Sequence, residues 1–339
     1  MKGKYVKFLS VLLGLVLLLA ACGDKSAEKV SEQLSKRLQD LKSYSATAEM
    51  VLNTGHDEQK YMIDILYKAD NFYRIELKNA MDEQESQIII KNDEGVFVVT
   101  PGQQKSFKFQ SDWPENSSQS YLFHSLINDI LKDSEGSFEV ADDYYVYRVK
   151  ANYQNNYRLP SQEIFIDKKS LTPILVNVQN NDGEVVVQVR FTDFAFNVDV
   201  DDKKFDVEEN IAQSMQYVET SGDEAEDIEF EVLYPLKTLG AELADHKEVY
   251  FDEGKRIIMV FSGEKNFTLI QEKRTYEQVF SSIHEVEGEM VNLGFGIGAV
   301  TDSTVEWNLD GVDYYLASDE LTTEELIDIA MSVQGRQIK

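Results

Sequence analysis

Metal binding, acid–base catalysis and nucleophilic attack each need particular residue types at particular spacings. This chain offers few such constellations. Its four histidines, His56, His124, His246 and His284, are scattered, without the short spacings that bring two imidazoles onto one metal ion. His-Glu-x-x-His and Gly-x-Ser-x-Gly are both absent, so neither a zinc-protease helix nor a serine-nucleophile elbow is indicated. Asp199, Asp201 and Asp202 have the look of a calcium loop, but the glycine that such a loop needs for its sharp turn is missing, and a solvated turn is expected. Gly294-Phe295-Gly296-Ile297-Gly298 lacks the spacing of a nucleotide-binding loop and reads as a flexible strand or turn. No catalytic residue, metal ligand or cofactor is assigned, and the expectation is a protein that is not an enzyme.

One residue does have chemistry written around it. Cys22 is the single cysteine of the 339 residues. Lys2, Lys4 and Lys7 precede an apolar run from Phe8 to Ala21. That run is short for a permanent membrane helix but suits the apolar region of a signal peptide. Leu19-Ala20-Ala21-Cys22 closes it with small residues before the cut, and Gly23-Asp24-Lys25-Ser26 then turns polar. The four-residue box resembles the bacterial lipobox, whose cysteine thiol takes a diacylglyceryl group and becomes the new N-terminus. A lipoprotein is therefore expected, with a signal peptide over 1–21, a tether over 22–29 and palmitate-type acyl chains on Cys22. Two or more such chains anchor stably where one does not. The site would be the extracytoplasmic face of the cell membrane.

Composition fits export. With its only thiol used for lipid, the body has no disulfide and must be held by a core. The net charge is −28, or −31 without the three leader lysines. Such acidity excludes nucleic acid as a partner and disfavours electrostatic docking on anionic lipid heads. More than 300 residues of ordinary apolar content predict two domains.

The elements that must form that core follow from periodicity. Val30, Leu34, Leu38 and Leu41 recur at helical spacing. From Tyr44 the period becomes two: Tyr61, Ile63, Ile65 and Tyr67, then Tyr73, Ile75 and Leu77, alternate with polar residues, with turns at Asn92-Asp93-Glu94-Gly95 and Pro101-Gly102. Leu122, Leu126, Ile127, Ile130 and Leu131 mark a second amphipathic helix within 119–133. Strands resume at Tyr145, Tyr147 and Val149 and run to Phe191. The expected order is helix, five strands, helix, four or so strands, a long antiparallel sheet that must curl and be covered by its helices. Residues 213–228 are acidic and poor in apolar side chains, and are expected to link residues 30–212 to a smaller α+β unit over 229–339. In that unit Arg256 to Phe261, Phe267 to Gln271, Val305 to Leu309 and Val312 to Leu316 read as strands, with a hairpin turn at Asp310-Gly311. A capping box from Thr322 to Glu325 opens a last helix with the stripe Leu326, Ile329, Ala330 and Val333.

The stretch from about Val30 to Val207 resembles the LolA/LolB lipoprotein-carrier superfamily. The resemblance rests on Ser43-Tyr44 after the first helix, on Tyr67-Lys68-Ala69-Asp70-Asn71-Phe72-Tyr73-Arg74, and on Asp93 to Pro101. Ile164-Phe165-Ile166-Asp167 through Leu171-Thr172-Pro173, and Phe191-Thr192-Asp193-Phe194, look like the closing strands of those proteins. The two-domain layout resembles that of the anti-sigma-factor regulator RseB, and LolA-like lipoproteins of spore-forming Gram-positive bacteria, some of which act in sporulation or germination. The resemblance implies an α+β fold: a curved antiparallel half-open β-barrel with covering helices over an apolar cavity that binds acyl chains, followed by a smaller α+β domain. Where the carriers have a lid-gating arginine the alignment places Ala69, so that gating role does not carry over.

The expected function is non-enzymatic binding of an apolar or acyl ligand, or of a lipidated partner, in envelope or sporulation and germination processes. Tyr61, Ile63, Ile65, Tyr73, Ile75, Leu122, Leu126, Ile130 and Tyr147 would line the pocket. The alternative is a protein-binding scaffold or regulator of a cell-wall enzyme or anti-sigma factor. The expected partners are the membrane, through Cys22, the apolar ligand or lipidated protein, and an envelope protein.

Overall fold

The computed structural model describes residues 26–53, 58–80, 86–100, 105–109, 119–152, 159–213, 230–251, 254–274, 284–286, 288–293, 296–309 and 311–335. The leader, Cys22, the Pro101-Gly102 turn, Asp310 and nearly all of the acidic stretch 213–228 lie outside them.

The first helix, α1 (Ala27–Gln39), buries Val30 and Leu34. Six strands follow: β1 (Ser43–Asn53), β2 (Glu58–Lys68), β3 (Phe72–Asn79), β4 (Gln87–Asn92), β5 (Gly95–Thr100) and β6 (Lys105–Phe109). Helix α2 (Phe123–Lys132) leads to β7 (Ser137–Val140), β8 (Tyr144–Lys150), β9 (Ser161–Asp167), β10 (Pro173–Gln179) and β11 (Val185–Phe196). There are thus six and five strands where five and four were expected; in the second series the short Ser137–Val140 pairs as a strand of its own. Leu122 is the N-cap residue of α2 rather than part of the helix.

The beginning and end of this series meet, because β1 pairs with both β2 and β11. The period-two alternation appears directly as burial: in β2 and β3, Tyr61, Ile63, Ile65, Tyr67, Tyr73, Ile75 and Leu77 are buried and their neighbours are not. The β2–β3 turn places Asp70 and Asn71 at φ 73° and 65°, a left-handed conformation that Asp and Asn tolerate better than most residues. The register shifts between Thr47 and Ala48 on β1, between Pro173 and Leu175 on β10, and again at Val178/Gln179; such bulges bend a strand and add twist.

After β11 the chain crosses the outer face. Asp201 caps a 3-10 turn, Asp202–Phe205, by accepting from the Lys203 backbone N–H at 3.1 Å. This is the aspartate turn noted in the sequence, and Asp202 pairs with Lys68. Residues 207–213 are helical. Val207 and Ile211 pack on Ile88, Ile90, Phe97 and Val99, which is why β4 and β5 are buried on both faces. Arg74 Nε donates to Asn210 Oδ1 at 2.8 Å and pins this strap.

The second unit contains β12 (Tyr234–Pro235), β13 (Glu242–Phe251), β14 (Gly254–Ser262), β15 (Phe267–Arg274), β16 (His284–Val286), β17 (Glu289–Asn292), β18 (Ile297–Val300), β19 (Thr304–Leu309), β20 (Val312–Ala317), α3 (Thr323–Met331) and β21 (Val333–Gly335). Seven strands form an antiparallel sheet in the order β13-β14-β15-β20-β19-β18-β17. Helix α3 begins with the expected capping box, Thr322 and Glu325 each bonding the other's backbone. It packs against β19 and β20.

The first sheet does not end at β6. β16 adds to β6 in parallel, so the large sheet has twelve strands, running from β16 to β7. A few residues away, Gln87 Oε1 accepts from the Ile297 backbone N–H at 3.3 Å while its Nε2 donates to the Asn308 carbonyl at 3.4 Å. One contiguous apolar cluster runs through both units. The molecule is mostly β, with few helices.

Candidate functional site

The nine residues expected to line a pocket are all buried, and all belong to one apolar cluster. β2 supplies Tyr61, Ile63 and Ile65, β3 supplies Tyr73 and Ile75, and β8 supplies Tyr147. Leu126 and Ile130 come from α2, and Leu122 from the residue before it. Register explains how β2 and β3 share a face: Ile65 lies opposite Ile75 on β3 and opposite Ala46 on β1, while Ile63 lies opposite Ala48. Large residues therefore sit beside small ones, and the face is apolar from β1 to β3.

The covering helices are attached to this face by a few polar contacts. On α2, Asp129 is almost fully buried and accepts from Gln162 Nε2 of β9 at 2.6 Å. The other end of that carboxamide, Gln162 Oε1, is buried with no hydrogen-bond partner among the described residues. A dry, unsatisfied acceptor costs about 1–3 kcal/mol. On α1, Ser31 Oγ and Tyr147 Oη lie 3.2 Å apart, and the Arg37 guanidinium stands 4.7 Å from the centre of the Phe196 ring.

At one end of the face lies a cluster that residue spacing does not predict. His124, at the start of α2, sits among Tyr44, Tyr67 and Tyr73. Its Nδ1 is 3.0 Å from the Tyr73 hydroxyl and its ring centre is 4.4 Å from that of Tyr67. Tyr44 stacks on Tyr67 at 5.3 Å and on Phe194 at 5.2 Å. Phe123 meets Phe196 edge-on at 5.1 Å. Burial drives the His124 pKa down to about 4, so near neutral pH the imidazole is uncharged and can accept from the Tyr73 hydroxyl. Burial likewise raises the Tyr44, Tyr67 and Tyr73 hydroxyls, so they stay protonated. These residues come from β1, β2, β3, α2 and β11, which no spacing rule connects. The one available signal was that the tyrosines stand in register, Tyr44 opposite Tyr67 and Tyr67 opposite Tyr73.

Chemically the arrangement is an apolar surface with neutral hydrogen-bonding groups. Among the described residues no group of His, Cys, Asp or Glu is placed to hold a metal ion, and no helix there is long and apolar enough to cross a membrane.

A family model described as sporulation protein YdcC-like matches residues 3–205. The sporulation protein YdcC of Bacillus subtilis (strain 168) is 43% identical over 342 residues, and the alignment covers 100% of both chains. Among solved structures, the chain is similar to the MucA/MucB complex of Pseudomonas aeruginosa, with TM-score 0.32, 10% identity, and 92% of this chain and 99% of that one covered. A LolA superfamily protein of Nitrosomonas europaea aligns with TM-score 0.29 and 14% identity, covering 55% of this chain and 99% of that one. A chain of the Clostridioides difficile complex of CwlD amidase with the GerS lipoprotein aligns with TM-score 0.23 and 16% identity, covering 52% of this chain and 98% of that one.

Proposed function

The chain belongs to the YdcC-like family of sporulation proteins, and from that membership we propose that it is a lipid-anchored envelope protein that binds an apolar ligand. The anchor is an acyl-modified Cys22 on the extracytoplasmic face of the membrane. The ligand is an acyl chain, free or carried by a lipidated partner, held between α2 and the face of β1, β2 and β3 in a half-open barrel. The observation that carries this reading is how α2 is attached. It covers an apolar face through Phe123, Leu126, Ile127 and Ile130, all buried, and its N-cap residue makes no side-chain cap bond. A cover seated on apolar contacts offers a face of the same chemistry as an acyl chain, which could take its place there. The bulges on β1 and β10 and the twelve strands of the sheet support curling into a half-barrel. Each buried CH₂ would contribute about 0.8 kcal/mol.

A second reading, a protein-binding scaffold for a cell-wall enzyme or an anti-sigma factor, is favoured by a different observation. Ile63 and Ile75 are 0% exposed and Ile65 is 1% exposed, as a filled core would have them. The variant Ile65→Trp separates the two. In an opening barrel it occupies ligand space, so uptake of a fluorescent fatty acid falls while melting is nearly unchanged. In a filled core it overpacks and costs about 1–3 kcal/mol of stability. A large melting drop, with no fatty-acid binding by the wild type, defeats the ligand reading and promotes the scaffold. For the anchor, intact-mass measurement of the membrane-extracted protein should show acyl mass on Cys22, and its absence sinks that part of the proposal.

A further inference from the structure

The second sheet carries an edge that overhangs its own core. β14 alternates as a strand over a core should, burying Lys255, Ile257, Met259 and Phe261. Its partner β13 does not: nine of its ten residues are exposed. The residues opposite the buried positions are Tyr250, Glu248, His246 and Leu243, all exposed. Among the described residues β13 is also the last strand of its sheet, so alternate backbone N–H and C=O groups along its far side face outward, ready to pair with another strand.

Large exposed apolar residues gather here. Seven are found among the described residues, and three of them lie on β13: Leu243 at 43%, Val249 at 42% and Tyr250 at 61% exposed. A fourth, Leu236 at 47%, lies a few residues before β13. Charged side chains are the usual protection of such an edge, and here they are mostly of one sign. β13 bears Glu242, Asp245 and Glu248 against Lys247. The buried Lys255 ammonium already reaches Glu248 at 3.3 Å and faces the Tyr250 ring at 5.3 Å, which props the outer end of the strand in place.

We infer that β13 is a docking edge for an extended, basic segment of another protein, which adds to the sheet as an eighth strand with its lysines or arginines on the face of Glu242 and Asp245 and its aliphatic residues on the opposite face, beside Leu243 and Tyr250. Charge complementarity decides the occupant. A second copy would bring the same acidic strand, on a chain of net charge −28, and be repelled. This surface is separate from the α2-covered face and does not depend on what that face binds.

The test uses the full chain in nanodiscs of neutral lipid and three labelled ten-residue peptides: alternating Lys and Val, alternating Glu and Val, and the first composition with its lysines grouped at one end. Anisotropy should show the alternating Lys/Val peptide binding at least tenfold more tightly than either other peptide. Amide exchange over 242–251 should slow when it binds. The double variant Glu242→Lys/Val249→Lys changes two exposed side chains and should lose at least tenfold in affinity. Equal affinity for the Lys and Glu peptides, or binding without protection of 242–251, overturns the inference. So does protection that rises with protein concentration alone, which would mean that a second copy fills the edge. Should the double variant fail to fold, the wild-type peptide ranking and exchange data decide.

Discussion

Each of the two sheets has one face covered by a helix, and the two covers are fastened differently. Helix α3 has a complete capping box, and Glu325 of that box is also paired with Lys265. Asp328 on the same helix is buried and takes a proton donor from Lys237 Nζ at 2.6 Å. Two ion pairs and a satisfied N-terminus thus lock α3 onto the loops of its own sheet. Helices α1 and α2 have N-cap residues, Ser26 and Leu122, that make no side-chain cap bond. They meet the strands through hydrogen bonds to Tyr147, Tyr73 and Gln162 and through ring contacts of Phe123, His124 and Arg37 with the aromatic residues of β1, β2, β3 and β11. A short helix without caps owes its structure to the surface it lies on. The difference lies in the kind of fastening: caps and ion pairs hold α3, while α1 and α2 rest mainly on the apolar and aromatic face beneath them.

The largest effect that would sharpen this contrast is expected at the α3 lock. Lys237→Ala leaves the Asp328 carboxylate buried without its cation. Breaking a buried pair from one side costs about 3–5 kcal/mol, and about 3 kcal/mol is expected because Lys237 is itself partly solvated. Denaturant melting of the full chain reads this. A loss under about 1 kcal/mol would mean that α3 is no more firmly held than α2, and the contrast would fail.

Acid should loosen the two covers in different windows. An unfolded histidine takes up its proton near pH 6.5, whereas His124 in the fold does so only near pH 4. Between these values the unfolded chain binds more protons, so stability is lost as pH falls from about 6.5 to about 4 and is fully present above that window. The expected loss is about 2 kcal/mol, the partial exposure of the ring having been allowed for. Glu325 behaves as a depressed carboxylate, held down by the bond from Lys265. Its contribution is present above its unfolded pKa of 4.5 and disappears below it. His124→Gln keeps an acceptor for Tyr73 and removes the titration, so melting against pH should flatten between 4 and 6.5 relative to wild type. An unchanged slope would show that the latch on α2 does not titrate.

What could be read in the sequence follows the same division between packed and unpacked surfaces. Alternation revealed β2, β3, β8 and the six strand residues of the α2-covered face, because one side of each strand is buried there and the other is not, and helical spacing revealed Leu122, Leu126 and Ile130. It failed for β13, whose residues do not alternate because that strand overhangs the core. It failed for β18, where Ile297, Gly298, Ala299 and Val300 are all buried and no period survives. β16 has three residues and pairs with a strand far back in the chain, so its local sequence carries no pattern. The strap over 207–213 was lost inside the end of the first unit, since Val207 and Ile211 are too few to show a stripe. The His124 cluster was invisible for a related reason: it is assembled by register between distant strands.

The smallest expected effect lies at the caps, and it tests the contrast most directly because nothing else is disturbed. Thr322 accepts from the Glu325 backbone N–H at 3.3 Å, while Glu325 Oε2 accepts from the Thr322 backbone N–H at 2.9 Å. Thr322→Ala removes the first bond and frees the carboxylate that makes the second, so about 1 kcal/mol should be lost. Ser26 holds the equivalent position on α1 with an extended backbone but no cap bond, so Ser26→Ala should change stability by less than about 0.5 kcal/mol. Amide exchange in the first turn of each helix measures both: exchange should quicken in α3 and stay unchanged in α1. Equal quickening in the two helices would mean that Ser26 caps α1 in solution, and the first unit's covers would then be fastened at their N-termini as firmly as the second's.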